Sequence, residues 1–108
     1  MQGRADFHRV TQSLLDTVLE TIRARRDDIE ARYGIRLLGV VGSVARGEER
    51  PDSDVDVFAD VTGTPSLLTV ARAQNELEDL LGHPVDLVLK DELRPEALDL
   101  MTSSFAPA

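Results

Sequence analysis

Apolar residues recur along this chain with two different periods. Val10, Leu14, Leu15, Val18, Leu19 and Ile22 return at three- and four-residue steps, with Ile29 extending the stripe, which predicts one long amphipathic helix. Tyr33-Gly34 predicts its stop, since glycine readily takes the left-handed C-cap conformation. "IRLLGVV" (Ile35 to Val41) is a short apolar run suited to a buried strand. "VDVFADV" (Val55 to Val61) alternates instead, with Val55, Val57, Ala59 and Val61 on one face and Asp54, Asp56, Phe58 and Asp60 on the other. "TGTPS" breaks the chain; Pro65 suits a helix start, with Thr64 as its N-cap. Ser66 to Leu81 returns to helical spacing through Leu67, Leu68, Val70, Ala71, Leu77, Leu80 and Leu81, and Gly82 and Pro84 end it. "VDLVL" (Val85 to Leu89) predicts a third strand, Pro95 opens a short helix from Glu96 to about Met101, and "TSSFAPA" reads as a frayed end.

These elements predict an α/β fold: a small mixed sheet of about three strands packed with helices, in one domain spanning residues 1–108. No internal repeat, low-complexity tract or linker interrupts it. The second and third strands are joined by a helix, and such crossovers leave their strands parallel with a right-handed connection. If those strands are neighbours, their starts share one edge of the sheet. Asp56 and Asp86 are each the second residue of their strand, and Asp54 lies on the face of Asp56. Three carboxylates then converge although Asp86 is remote in sequence.

Composition narrows the class. Twelve basic and 20 acidic side chains give a net charge of −8, a surface that repels nucleic-acid phosphates, so no direct nucleic-acid partner is expected. Cysteine is absent, which excludes disulfides, thiolate metal sites and thiol catalysis. "MQGRADFHRV" lacks the apolar run of a signal peptide, and no segment approaches the roughly 20 apolar residues of a membrane span. A soluble cytoplasmic domain is expected.

The chemistry concentrates in "GSVARGEERPDSDVDV", from Gly42 to Val57. Crowded aspartates repel one another, and left alone at least one would hold a proton near neutral pH. Divalent cations remove that conflict; hard oxygen ligands suit magnesium, which takes further ligands from substrate phosphates. Two ions bridged by carboxylates serve in-line phosphoryl or nucleotidyl displacement. The upstream loop fits that use: Gly42 lets backbone approach a phosphate, Ser43 offers a hydroxyl or serves as an N-cap, and Arg46 faces either a phosphate or a structural partner such as Glu48 or Asp52. Other phosphate and cation motifs fail on spacing. Glu48 and Glu49 follow Gly47 where a P-loop needs Lys-Ser or Lys-Thr, no G-x-G-x-x-G run exists, and an EF-hand would need glycine at Val57 and glutamate at Gly63.

With its glycine, serine, arginine and both aspartates in this spacing, the stretch resembles the nucleotidyltransferase motif of the DNA polymerase β superfamily. The "GS-x-ARG…SD-x-D" form in so short a chain is similar to the minimal nucleotidyltransferase (MNT) family, whose members include MntA-type antitoxins paired with HEPN-domain toxins. The likeness runs over nearly the whole chain, to the "VDLV" that carries Asp86. It implies a polymerase β-like fold. It implies that Gly42 and Ser43 hold a nucleoside triphosphate, that Asp54 and Asp56 bind two Mg2+ ions, that Asp86 is the third carboxylate as ligand or base, and that Arg46 and Gly47 shape the nucleotide loop. The "MTSSFAPA" end is more polar than the longer charged-apolar helix usual in the family.

Two functions follow. The first is an enzyme that moves AMP from ATP to a hydroxyl, which the resemblance makes a tyrosine of a HEPN toxin, so that the chain acts as an antitoxin. The alternative is a non-catalytic antitoxin that covers a basic partner with its acidic surface. Homo- and hetero-oligomers are both compatible with the sequence. His8 and His83 have no partner at metal spacing, Lys90 reads as a solvated residue on the strand face of Asp86, Tyr33 as helix-end packing, and Arg23 to Asp28 as a solvated helix face in which Arg25 and Arg26 offer a partner contact.

Overall fold

The computed structural model describes residues 13–108; Val10 and His8 lie outside them. Helix α1 (Leu14–Tyr33) is capped by Ser13, whose Oγ accepts from the Asp16 N–H at 3.1 Å, and ends on Gly34 in the left-handed region at φ 69°. Strand β1 (Ile35–Val41) leads into a short helix α2 (Gly42–Arg46), and β2 (Val55–Val61) follows. Helix α3 (Leu67–Leu81), β3 (Val85–Leu89), a 3-10 turn (Lys90–Glu92), α4 (Pro95–Thr102) and β4 (Ala106–Pro107) complete the order.

The sheet runs β3-β2-β1-β4, with β2 and β3 parallel and β1 antiparallel to both β2 and β4. One face carries Val55, Val57, Ala59, Val85, Leu87 and Leu89 against Val18, Ile22 and Ile29 of α1 and Ala73 and Leu77 of α3. The other buries Val41, Phe58 and Val88 beneath Leu98, Met101 and Phe105. The alternation in β2 is therefore correct on both faces. In β1 a bulge between Leu37 and Gly39 shifts the phase, so that Leu37 and Val40 both join the helix-side core while Val41 lies on the opposite face.

Two side chains of α3 fix the edge strand β3. Glu78 Oε2 accepts from the Val85 N–H at 3.0 Å and Gln74 Oε1 from the Leu87 N–H at 3.1 Å. They satisfy donors that an edge strand would leave unpaired, and they anchor the residues on either side of Asp86. Between the two helices, Arg32 of α1 binds Glu76 of α3, and the Tyr33 hydroxyl donates to Glu76 Oε1 at 2.8 Å. Tyr33 thus packs at the helix end with a specific hydrogen bond.

The structure corrects several expectations. Ser66, not Thr64, caps α3, its Oγ accepting from the Thr69 N–H at 3.2 Å, and Pro65 precedes the cap. Strand β3 stops at Leu89, so exposed Lys90 opens the 3-10 turn rather than sharing a strand face with Asp86. The sheet has four strands, because the "TSSFAPA" end does not fray. Ala106 pairs with Val40, and the Ala108 N–H donates to the Leu38 carbonyl at 3.0 Å. Phe105 meets Phe58 edge to face, with ring centroids 5.7 Å apart. Gly39 makes this closure sterically feasible: a Cβ there would overlap the Ala106 carbonyl and lie 2.7 Å from a Phe105 ring carbon. Gly39→Ala should therefore destabilise the fold by roughly 1–3 kcal/mol, the usual penalty of overpacking. Chemical denaturation measures the loss, and faster hydrogen exchange at the Ala108 amide locates it at β4; unchanged values for both would remove Gly39 from this role.

Candidate active site

Register places the carboxylates. In the parallel pair, Val55 aligns with Val85 and Asp56 with Asp86; aligned residues of neighbouring strands project to the same face. On the other side of β2, Val41 aligns with Asp56. A row Val41–Asp56–Asp86 thus crosses the sheet just beyond the apolar row of Phe58 and Val88. The approach to β2 is ordered by a turn in which the Ser53 N–H donates to the Arg50 carbonyl at 2.9 Å while Ser53 Oγ accepts from the Arg50 N–H at 2.8 Å. This turn delivers exposed Asp54 to the same end. The Val55 N–H donates to the Pro84 carbonyl at 2.8 Å, tying the two strand starts together.

The three aspartates differ in environment. Asp54 and Asp86 are exposed and Asp56 is half-buried. The Asp56 carboxyl is pushed above its ordinary 3.8, first by burial, then by the charges of Asp86 and Asp54, with Arg46 opposing. The charges of Asp54 and Asp86 thus both bear on the Asp56 carboxyl. Among the described residues, however, no three carboxylate or imidazole groups stand close enough together to make a ready-formed metal cage. Magnesium does not require one, since it is held by one or two carboxylates plus waters and substrate phosphates. The donor set suits it, being all hard oxygen, with an electrostatic conflict at Asp56 that a cation relieves.

Gly42 explains how the upstream motif meets this centre. It has φ 79°, and a Cβ there would overlap Asp56 Oδ2. Any side chain at this point would displace the carboxylate, so glycine is set by both backbone and space. The "GSVAR" segment is a helical turn rather than an open loop. Val41 takes its N-cap position without a side-chain bond, Ser43 lies in the first turn instead of capping it, and Gly47 closes it as a left-handed C-cap. Arg46 makes the structural contact weighed for it, an exposed Nε–Oε1 ion pair with Glu48 at 2.8 Å, while remaining close enough to oppose the rise at Asp56. Asp52 stays exposed in the loop. Gly42, Asp54, Asp56 and Asp86 therefore lie toward one end of the sheet, with Ser43, Arg46 and Gly47 on the adjoining turn. The supports behind them, Gln74 and Glu78 along β3, escape the sequence because no local spacing signals such helix-to-strand bonds.

The chain is thus a mixed four-stranded α/β domain with paired aspartates on neighbouring parallel strands and a glycine-initiated turn against them. Comparison with known proteins specifies it further. Residues 22–104 match the model of the nucleotidyltransferase domain family, and the chain belongs to that family. It is 41% identical over 80 residues to protein adenylyltransferase MntA of Thermococcus cleftensis, covering 74% of this chain and 81% of that protein. It is 33% identical over 79 residues to a chain of Methanocaldococcus jannaschii provisionally named protein adenylyltransferase MJ1217, covering 73% and 81%. A solved structure described provisionally as a minimal nucleotidyltransferase superposes with TM-score 0.68 at 38% identity, covering 91% of this chain and 98% of the other. A chain from a crystal structure of a toxin-antitoxin with AMP-PNP shares the fold, with TM-score 0.61 at 18% identity over 75% and 67% of the two chains. The chain is thus a nucleotidyltransferase, and its fold is the minimal one.

Two outcomes test this geometry. Between 3.8 and its raised value, Asp56 of the folded chain holds a proton that the unfolded chain has released. Stability therefore falls as pH rises through that window and stays lowered above it. In chelator-treated buffer, Asp56→Asn should melt higher than the parent at neutral pH, with the gain vanishing below 3.8; a lower melting temperature at neutral pH would contradict the repulsion. Gly42→Ala should destabilise by roughly 1–3 kcal/mol through backbone strain and overlap with Asp56. A variant as stable as the parent in denaturant titration would show that the turn does not press on that carboxylate.

Proposed function

We propose that residues 1–108 act as one minimal nucleotidyltransferase unit that moves AMP from ATP to a hydroxyl of a partner protein, a tyrosine of a HEPN-domain toxin, and so serves as an antitoxin. The observation that carries the reading is the in-register pair Asp56–Asp86, with Asp54 beside it and the Gly42 turn against it. The name of the Thermococcus relative, protein adenylyltransferase, supports the choice of AMP and of a protein acceptor.

In this reading the acceptor oxygen attacks the α-phosphorus of ATP. The bond from that phosphorus to the oxygen bridging the β-phosphate breaks, and pyrophosphate leaves with the electron pair. Asp54 and Asp56 hold the metal, with Asp86 as the third carboxylate. When bound, magnesium would supply charge neutralisation for this displacement. Asp86, exposed at the rim, accepts the proton leaving the acceptor hydroxyl. Gly42 and Ser43 present backbone and hydroxyl donors to the triphosphate. Arg46 exchanges its exposed bond with Glu48 for a phosphate contact, an exchange made easy because exposed ion pairs are weak. Occlusion alone, favoured by the net charge of −8, is the competing way to neutralise a basic partner.

The test uses α-labelled ATP, magnesium and a co-purified HEPN protein. Label should pass to the partner only with the metal present, and Asp54→Asn or Asp56→Asn should lower the rate by roughly 100-fold or more. Undiminished transfer by both variants would rule out this chemistry. Full growth rescue by the doubly substituted chain at equal abundance would assign neutralisation to occlusion.

A further inference from the structure

The apolar stripe of α3 does not end where the sheet ends. Leu67, Val70, Gln74, Leu77 and Leu81 follow one face of the helix, and from Gln74 onward that face meets β3 or the core. Leu67 shares the face yet is 85% exposed, and Leu68 beside it is 61% exposed. The first turn of α3 overhangs the C-terminal ends of β2 and β3, and beneath it lies a cavity of about 260 Å³. Its walls are Val61, Leu67, Val70 and Leu89, and its lip carries Asp91 and Glu92. The carboxylate site lies toward the opposite end of β2, where Asp56 is five residues from Val61, or roughly 17 Å at strand rise.

We propose that this overhang is a docking groove for a protein partner that inserts an apolar side chain flanked by basic residues. Charge selects that occupant. Asp91 and Glu92 are both exposed at the groove, and the chain as a whole carries −8. A second copy would bring acid against acid, whereas a basic segment is attracted and its apolar anchor covers the leucine that the fold leaves in water. Lys90 adjoins the acids but does not line the groove. The choice of a protein occupant rests on the protein-acceptor reading above, and the inference deepens it: the acceptor is held at one end of the sheet and modified at the other.

The experiment titrates two acetylated and amidated tetrapeptides, Arg-Leu-Leu-Arg and Glu-Leu-Leu-Glu, into the 15N-labelled full chain. The basic peptide should shift the amides of Leu67, Val70, Leu89 and Glu92 saturably, with an affinity that falls as salt rises, and the acidic peptide should not. Leu67→Ser should weaken the basic peptide by roughly 5- to 10-fold, the contribution of part of one buried apolar side chain. Because Leu67 is so exposed, this variant should melt like the parent and bind magnesium–ATP as the parent does. Equal response to both peptides, shifts centred elsewhere, or self-association in sedimentation that Leu67→Ser abolishes would overturn the proposal. Loss of nucleotide transfer with groove binding intact would sink the catalytic reading alone.

Discussion

Everything at the candidate site depends on the hydrogen-bonded register of two short parallel strands. Asp56 and Asp86 are thirty positions apart and meet because Val55 aligns with Val85. A slip of one residue would turn one of them into the helix-side core. The slip is opposed from both flanks. Val55, Val57, Val85 and Leu87 bury on the helix side, and Glu78 and Gln74 hold the outer N–H groups of Val85 and Leu87. The opposite face adds Phe58 and Val88 beneath Phe105. Apolar burial and edge bonding thus supply the stability that lets like charges stand side by side.

The site is correspondingly a place where local preferences conflict. Asp56 is half-buried next to other carboxylates, with its proton affinity raised. Gly42 takes a backbone conformation that keeps the turn against that carboxylate. Neither feature helps the free chain fold; under the proposed function each has a use, with a cation and a polyphosphate sharing the space. This is the pattern expected where function is retained against stability. The same division extends across the molecule: one end of the sheet gathers charge, and the other leaves Leu67 and Leu68 over an open groove.

Much of this was legible in the chain itself. The alternation in "VDVFADV" gave both faces of β2, and the helical crossover gave the parallel pairing that unites Asp56 with Asp86. The spacing of "GSVARGEERPDSDVDV" identified the motif. What escaped was set by contacts distant in sequence. The C-terminal segment looked too polar to order, yet Phe105 finds Phe58 and the backbone finds β1 across Gly39. A glycine inside an apolar run does not announce what will approach it. Ser66 displaced Thr64 as the cap because the helix begins after Pro65, and boundary residues with equivalent capping chemistry are separated only by the final backbone path.

The central proposal is that Asp54 and Asp56 hold the metal that serves the triphosphate, with Asp86 placed beside them by strand register. The most direct measurement is a crystal structure of the chain with Mn2+ and a non-hydrolysable ATP analogue, recorded at the manganese absorption edge. The account requires anomalous density bridging the carboxylates of Asp54 and Asp56, within reach of Asp86 and of the analogue's phosphates beside Gly42 and Ser43. Manganese bound elsewhere, or an Asp86 carboxylate turned away from an occupied site, would contradict it.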